Sequence, residues 1–256
     1  MKSWPLLVTC CAAWWCVVAV ARAEEVAVEV QPLTEGVWLH TSWQTVAVFG
    51  RVQSNGLIVR EGDHLVVVDT AWGAAPSRAL LAWIDRELKL PVARLLVTHF
   101  HDDRLGGGEV FAERGVRIVA SEQTVALGKV TPTAAFEVYR LQPGERKRSG
   151  ALEIFYPGPA HAPDNVVVWI PAGRVLAGGC AVRAAASAGL GNLSDASVAE
   201  WGASMRRVIQ AYPTAQLVLP GHGDRGGPEL LQHTVDLAEA ARRAPPPSAP
   251  AAPARQ

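Results

Sequence analysis

The sequence predicts an α/β fold in a single domain, and three observations carry that expectation. Short apolar runs of strand character alternate with segments of helical spacing along most of the chain. Between residues 24 and 243 no internal repeat and no linker-like shift in composition divides it. The 256 residues, 49% hydrophobic and 19% charged, are long enough and apolar enough for one substantial core.

The elements follow in order. VAVEV (26–30) and VWLHTS (37–42) read as strands because β-branched and aromatic residues crowd them. GLIVREGDHLVVVDT (56–70) reads as a hairpin turning between Glu61 and His64. PSRALLAWIDRELK (76–89) reads as a helix: Pro76 suits a first turn, and Leu80, Leu81, Ile84 and Leu88 fall on one face. VARLLVTH continues as a strand, and EVFAERG as a short helix stopped by Gly115. RIVAS, LEIFYPG, NVVVWIP, RVLAGG and QLVLPG are further strands. SVAEWGASMRRVIQAY and PELLQHTVDLAEAARR are late helices.

The two ends stand apart from this pattern. Residues 1–23 combine Lys2, an apolar core and the small residues of "ARA" before Glu24, which predicts a signal peptide removed on export to the periplasm. A retained anchor is the alternative, because the apolar run from Pro5 to Ala21 approaches the length of a short membrane span. With the signal cleaved, no stable membrane association is expected. The Pro/Ala-rich tail at 244–256 is expected to be disordered. The domain is therefore expected over 24–243, as a monomer. A formal net charge of zero, with no basic arm or stripe, points away from nucleic acid.

Chemistry concentrates where strands end. In THFHDDR, the side chains of His99, His101 and Asp103 can be gathered by one loop, and two imidazoles with a carboxylate are ligands that suit Zn²⁺. Alone, this H-x-H-x-D also fits a solvated loop. Three later positions favour the metal: His161 in GPAHAPDN, Cys180 in LAGGCAV and His222 in VLPGHGD each follow an apolar strand. His40, His64 and His233 lack that context and read as structural or surface residues. Of four cysteines, Cys10, Cys11 and Cys16 fall in the leader, so Cys180 has no partner for a disulfide and must be buried or occupied. Four histidines, one aspartate and one cysteine exceed the needs of one tetrahedral zinc and suit two open ones, the mark of a hydrolytic centre. Asp102 takes no role in this scheme.

The segments SNGLIVREGD, DTAWGA, LPVARLLVTHFHDDRLGG, FYPGPAHAPDNVVVWIP, VLAGGCAV, GNLSDASVAEW and PGHGDRGGPELLQHT resemble the class B (metallo) β-lactamases, first subclass, most of all the Verona integron-encoded (VIM) type. Ligand intervals agree with that type: 180 − 161 = 19 and 222 − 180 = 42. The resemblance spans nearly the whole mature chain. It implies a four-layer αβ/βα sandwich, two mixed sheets with outer helices and a dinuclear site at one edge. Two Zn²⁺ ions per chain are implied, one held by His99, His101 and His161, the other by Asp103, Cys180 and His222. Arg104 and Asp69 would support these ligands from behind. Arg104 also stands where other hydrolases of the superfold carry a further histidine, which favours the lactamase branch over lactonases, thioesterases and phosphodiesterases, the alternative reading.

The implied reaction is opening of the β-lactam ring of penicillins, cephalosporins and carbapenems by a metal-bound hydroxide, which makes the chain a carbapenemase conferring antibiotic resistance. Asp103 or a metal-bound water would deliver a proton, and the first zinc together with Asn192 would steady the oxyanion. No Ser-x-x-Lys nucleophile motif is present. For the substrate carboxylate, the VIM type places an arginine four residues beyond the position of Arg183, where this chain has Ser187. Arg183 is therefore expected to take that role, by a bidentate contact. Residues 41–56 resemble the family's flap, with Trp43 and Phe49 placed to meet drug side chains and Trp72 on the floor beneath.

Overall fold

A computed structural model describes residues 28–243, so the leader expected over 1–23 and the tail expected over 244–256 lie outside the described residues. The strands are β1 Val28–Thr34, β2 Val37–Val46, β3 Gly50–Glu61, β4 His64–Val68, β5 Val92–Leu96, β6 Arg117–Ser121, β7 Phe136–Tyr139, β8 Arg146–Ser149, β9 Leu152–Phe155, β10 Val167–Ile170, β11 Val175–Gly179 and β12 Leu217–Pro220. The helices are α1 Ala74–Glu87, α2 Gly108–Glu113, α3 Glu122–Leu127, α4 Val198–Ala211 and α5 Glu229–Arg243. Among the described residues, no helix is long and apolar enough to cross a membrane.

Two mixed sheets result. The first runs β1-β2-β3-β4-β5-β6-β7, antiparallel from β1 to β4 and parallel from β4 to β7. The second runs β12-β11-β10-β9-β8, with only β11 and β12 parallel.

Strand alternation explains the layering. In β4, Val66 and Val68 point into the space between the sheets, whereas Leu65 and Val67 point to the outer helices. In β10, Val168 and Ile170 face the first sheet, and Val167 faces the other way. Both faces of the central strands are buried, so they read as continuous apolar runs. Leu80, Leu81 and Ile84 of α1 close the first outer layer together with Phe111 of α2. Trp201, Met205 and Val208 of α4 close the second with Leu230, Leu231 and Val235 of α5. The order of layers is thus helix, sheet, sheet, helix, the αβ/βα sandwich that the resemblance implies.

Three elements escape the sequence reading. α3 has only six residues, and its start is fixed locally, by Ser121 Oγ accepting from the Thr124 amide at 3.0 Å. β7 and β8 are four-residue strands at the far edges of their sheets, and RKRS of β8 carries three basic residues with no apolar period. β3 is also longer than expected. It begins at Gly50, and pairing in register with β2 from Val46↔Gly50 to Val37↔Val59 extends the hairpin well beyond the sandwich core.

Candidate metal centre

The parallel and mixed strands of both sheets release their chains toward one edge, and the six donor residues sit in those loops. His99, His101 and Asp103 follow β5, His161 follows β9, Cys180 follows β11 directly, and His222 follows β12. Short strands ending in glycine or proline turns bring segments distant in sequence within touching distance there.

Two adjacent groups form. His99 Nε2 lies 3.2 Å from His101 Nδ1, which lies 3.0 Å from His161 Nε2. On the other side, Cys180 Sγ stands 3.2 Å from His222 Nε2 and 3.5 Å from Asp103 Oδ2, and His222 Nε2 is 3.3 Å from that same carboxylate oxygen. His99 belongs to the first group and also has a ligand atom within 4.8 Å of those of Asp103 and Cys180, so it stands between the two. All six residues implied by the resemblance are together. His99, Asp103, Cys180 and His161 are buried, and His101 and His222 are partly open to solvent.

The outward hydrogen bonds decide which nitrogens are free. His222 Nδ1 donates to the Gln53 carbonyl at 2.6 Å, and His101 Nε2 donates to Asp195 Oδ2 at 3.0 Å. His99 Nδ1 faces the Thr98 hydroxyl at 3.3 Å, and that hydroxyl donates to Asp69 Oδ2 at 2.9 Å. Each of these rings therefore turns an unprotonated nitrogen inward. Two imidazole lone pairs, on His99 Nε2 and His101 Nδ1, face each other at 3.2 Å and repel, and a thiol beside a carboxylate gains little. A soft-to-borderline cation converts both groups from mutual repulsion to attraction, so the donor chemistry fits zinc.

Charge around the site points the same way. Burial, and then His101, pushes the His161 pKa down to about 3, and burial alone is the main cause for His99 and His222, both lowered. Burial opposes ionisation of Asp103, but Arg104 and then the neighbouring histidines outweigh it and hold its pKa well below the usual carboxylate range. Burial pushes the Cys180 thiol far up, against the pull of Arg104. A metal cation beside it would add a further positive partner to Arg104 and favour the thiolate.

Arg104 is completely buried and binds the site from beneath. Its Nη2 reaches Asp103 Oδ2 at 2.9 Å, Cys180 Sγ at 3.2 Å and the Gly221 carbonyl at 2.8 Å. Its Nη1 donates to the Asn55 carbonyl and lies 3.5 Å from Asp69 Oδ2. Asp69 in turn accepts from the Thr98 amide at 2.8 Å. Burial raises its pKa to about 6 even with Arg104 beside it. Gly221 is required by close approach: a methyl at that position would sit 2.6 Å from Arg104 Nη2 and 2.7 Å from Cys180 Sγ.

The other sequence-predicted positions surround this centre. The Arg183 guanidinium is half-buried, donates from Nε to the Gly189 carbonyl at 3.1 Å, and lies close enough to His222 to lower its pKa. Asn192 is exposed, and its Oδ1 accepts from the Ser194 amide at 3.1 Å, which leaves its amide nitrogen free. Trp72 has its ring 6.1 Å from that of His222. Trp43 lies under the Arg51 guanidinium at 4.8 Å, on the β2–β3 hairpin, and Phe49 is exposed at the tip. His40 is buried in the first sheet, with Nε2 3.2 Å from the Asp69 carbonyl. His64 contacts Glu61 and Asp63 in its hairpin turn, and His233 contacts the Ser187 carbonyl from α5.

Besides Thr98 at His99, two positioning residues escape sequence reasoning. Asp195 fixes the His101 ring from 94 positions away. Asn55 donates to the Pro220 and Gly223 carbonyls at 3.0 and 2.8 Å, tying β3 to the His222 loop. Asp195 does lie within the quoted segment GNLSDASVAEW, but no local spacing links it to His101.

The buried neutral histidines set a pH dependence for the metal-free protein. Burial lowers His40 to about 4 and His161 to about 3, from 6.5 for an unfolded chain. Below pH 6.5 the unfolded state binds the extra proton and the folded state does not, so stability falls as pH is lowered from 7 toward 4. Each histidine is expected to remove about 1–2 kcal/mol between pH 7 and pH 5. Asp69 and Asp164 offset this in part, because burial raises their carboxyls to about 6 and they take up a proton in the folded state first. Denaturant midpoints of the chelated protein at the two pH values check this, and a flat profile contradicts it.

Comparison with known proteins agrees with this geometry. The sequence profile of the metallo-β-lactamase superfamily matches residues 49–222. A metallo-β-lactamase type 2 from Bacillus cereus is 37% identical over 225 residues, covering 85% of each chain. Another from Bacteroides fragilis is 32% identical over 82% of this chain and 85% of its own. The solved structure of metallo-β-lactamase FIM-1 from Pseudomonas aeruginosa, in its mono-zinc form, superposes with a TM-score of 0.80 at 35% identity, over 88% of this chain and 100% of that one. The metallo-β-lactamase from Pontibacter korlensis gives 0.77 at 38% identity, over 83% and 99%. With its fold, its clustered donors and these relatives in agreement, the chain belongs to the metallo-β-lactamase superfamily, a family of metal-dependent hydrolases.

Proposed function

We propose that this chain is a dizinc β-lactamase that opens the ring of penicillins, cephalosporins and carbapenems. The observation that carries the reading is the convergence of two three-donor groups, His99/His101/His161 and Asp103/Cys180/His222, on one open edge with an arginine beside them. Bound zinc ions supply Lewis-acid activation of water and neutralise negative charge that develops on the opened amide. The chain's own residues do the rest. The free amide nitrogen of Asn192 donates to the carbonyl oxygen as it gains charge. Asp103 is held ionised, so it is not a standing acid, and the proton that reaches the departing ring nitrogen is one released by the incoming water, delivered through Asp103 or through water. Trp72 and the hairpin aromatics Trp43 and Phe49 cover apolar parts of the substrate. Within the family, the ligand intervals of 19 and 42 residues support affinity to the VIM type. Export to the periplasm is the setting that the leader sequence supports, and a monomer is the state proposed there.

The deciding experiment is turnover of a chromogenic cephalosporin by the zinc-loaded protein, alongside a lactone, a thioester and a phosphodiester. Ring opening supports the proposal, and cleavage confined to one of the other three replaces it with a different hydrolase of the same fold. Arg183 is assigned to the substrate carboxylate. Arg183→Ala is expected to raise KM about tenfold or more, the loss of a charge-assisted contact, with kcat within about twofold. An unchanged KM removes Arg183 from substrate binding.

A further inference from the structure

We propose that Asp164 is a positioning residue for the first donor group: its buried carboxylate ties the His99–His101 loop to the His161 loop and so sets how tightly that group holds a metal ion. The inference rests on the metal-binding part of the function proposed above and is independent of the substrate.

His161 is the exception among the donor histidines. Thr98, Asp195 and the Gln53 carbonyl hold the outward nitrogens of His99, His101 and His222. The outward Nδ1 of His161 is buried and has no hydrogen-bond partner among the described residues. Its ring is therefore not steered by a bond of its own. The Trp201 ring at 5.9 Å packs against it, and the rest of its placement falls to the backbone that carries it.

That backbone is tied down around Asp164. The Ala162 amide donates to Asn165 Oδ1 at 2.6 Å, and the Tyr156 hydroxyl donates to the Pro163 carbonyl at 2.6 Å. The Val166 amide donates to the Thr98 carbonyl at 2.9 Å, which joins the loop to the residue just before His99. Asp164 supplies a second tie to the same segment. It lies three residues after His161 and is 1% exposed. Its carboxylate sits beside the Phe100 amide, between the donors His99 and His101, and beside the Thr124 hydroxyl of α3. Ser121 Oγ holds that threonine in place, 3.0 Å from its amide and 2.8 Å from its hydroxyl.

The two contacts of Asp164 depart from full hydrogen-bond geometry. A buried carboxylate still attracts an amide and a hydroxyl dipole across such a departure, because little solvent screens them. The second donor group has separate supports, Arg104 under Asp103 and Cys180 and the Gln53 carbonyl at His222. Loss of Asp164 should therefore be felt by one group and not by the other.

The test is stepwise metal binding by the full chain, stripped of metal and then titrated with Co²⁺. Thiolate-to-metal charge-transfer absorption reports the group that contains Cys180, and visible ligand-field bands report both, so the two affinities separate. Competition with a chromophoric chelator gives the corresponding constants for Zn²⁺. Asp164→Ala is expected to weaken the His99/His101/His161 position about tenfold or more, and the other position by less than about threefold. Asp164→Asn keeps an acceptor oxygen and should recover part of the loss. Thr124→Val removes only a hydroxyl, so it covers the case in which Asp164→Ala does not fold, and it should weaken the same position about threefold. Equal weakening at both positions assigns Asp164 to general stability, and a first position unchanged in every variant that folds removes it from the site. A native chain that binds two ions but opens no β-lactam overturns the substrate reading and not this one, whereas a native chain that binds no metal overturns both.

Discussion

Chelation is expected to reduce β-lactam turnover by at least about a thousandfold, about 4 kcal/mol of transition-state stabilisation, and added zinc to restore it. The magnitude follows from how little else the site offers. The sequence has no Ser-x-x-Lys pair, and Cys180 is buried, with its thiol pKa pushed up, so no side chain is poised to attack in place of water. Asp103 is ionised and engaged with Arg104, which leaves it unable to activate water strongly by itself. Structure should loosen as well as activity disappear. With no ion bound, the inward nitrogens of His99 and His101 repel, so zinc binding is expected to raise the denaturation midpoint in proportion to the logarithm of free zinc. Turnover that survives exhaustive chelation would remove metal from the mechanism, and a midpoint indifferent to zinc would remove it from the fold.

The layering was legible because burial on both faces writes itself into β4, β5, β10 and β11 as unbroken apolar runs, and α1, α4 and α5 show one apolar face each. What escaped was held by distant pairing. RKRS becomes β8 only because LEIF of β9 lies beside it, and the polar stretch RVQSN is strand because β2 pairs with it residue by residue. The same division applies at the centre. Donor residues could be found because each interrupts the end of an apolar strand with an imidazole, thiol or carboxylate. The residues that orient them could not, since Asp195, Asn55 and Thr98 are ordinary polar residues until the fold brings them to His101, the His222 loop and His99. Arg104 was readable in part. Its neighbour Asp103 marked it, but its reach to Cys180, Gly221, Asn55 and Asp69 depends on contacts up to 117 positions apart.

Arg104→Ala is expected to cost about 3–5 kcal/mol of stability in the metal-free protein, because it removes one partner of a buried ionic cluster and leaves the rest in place. Two carboxylates, Asp103 and Asp69, lose their only arginine contact among the described residues, and the Asn55 and Gly221 carbonyls lose a donor. Arg104→Lys keeps the charge but cannot span both sides with a planar fork, so it should recover only part of the loss. The pH dependence separates this account from simple loss of packing. In the native protein Asp103 has a depressed pKa, so its contribution is present above the unfolded value and is lost as pH falls toward the folded one. Without Arg104, Asp103 and Asp69 are buried carboxylates with raised pKa values, and protonation relieves them. The deficit of the Ala variant relative to the native protein should therefore shrink as pH is lowered from 7 to 4. Denaturation midpoints across that range, at constant slope, measure it. A deficit below about 1 kcal/mol at pH 7 would mean that the cluster is not held by charge, and one that does not change with pH would assign the cost to the cavity left behind.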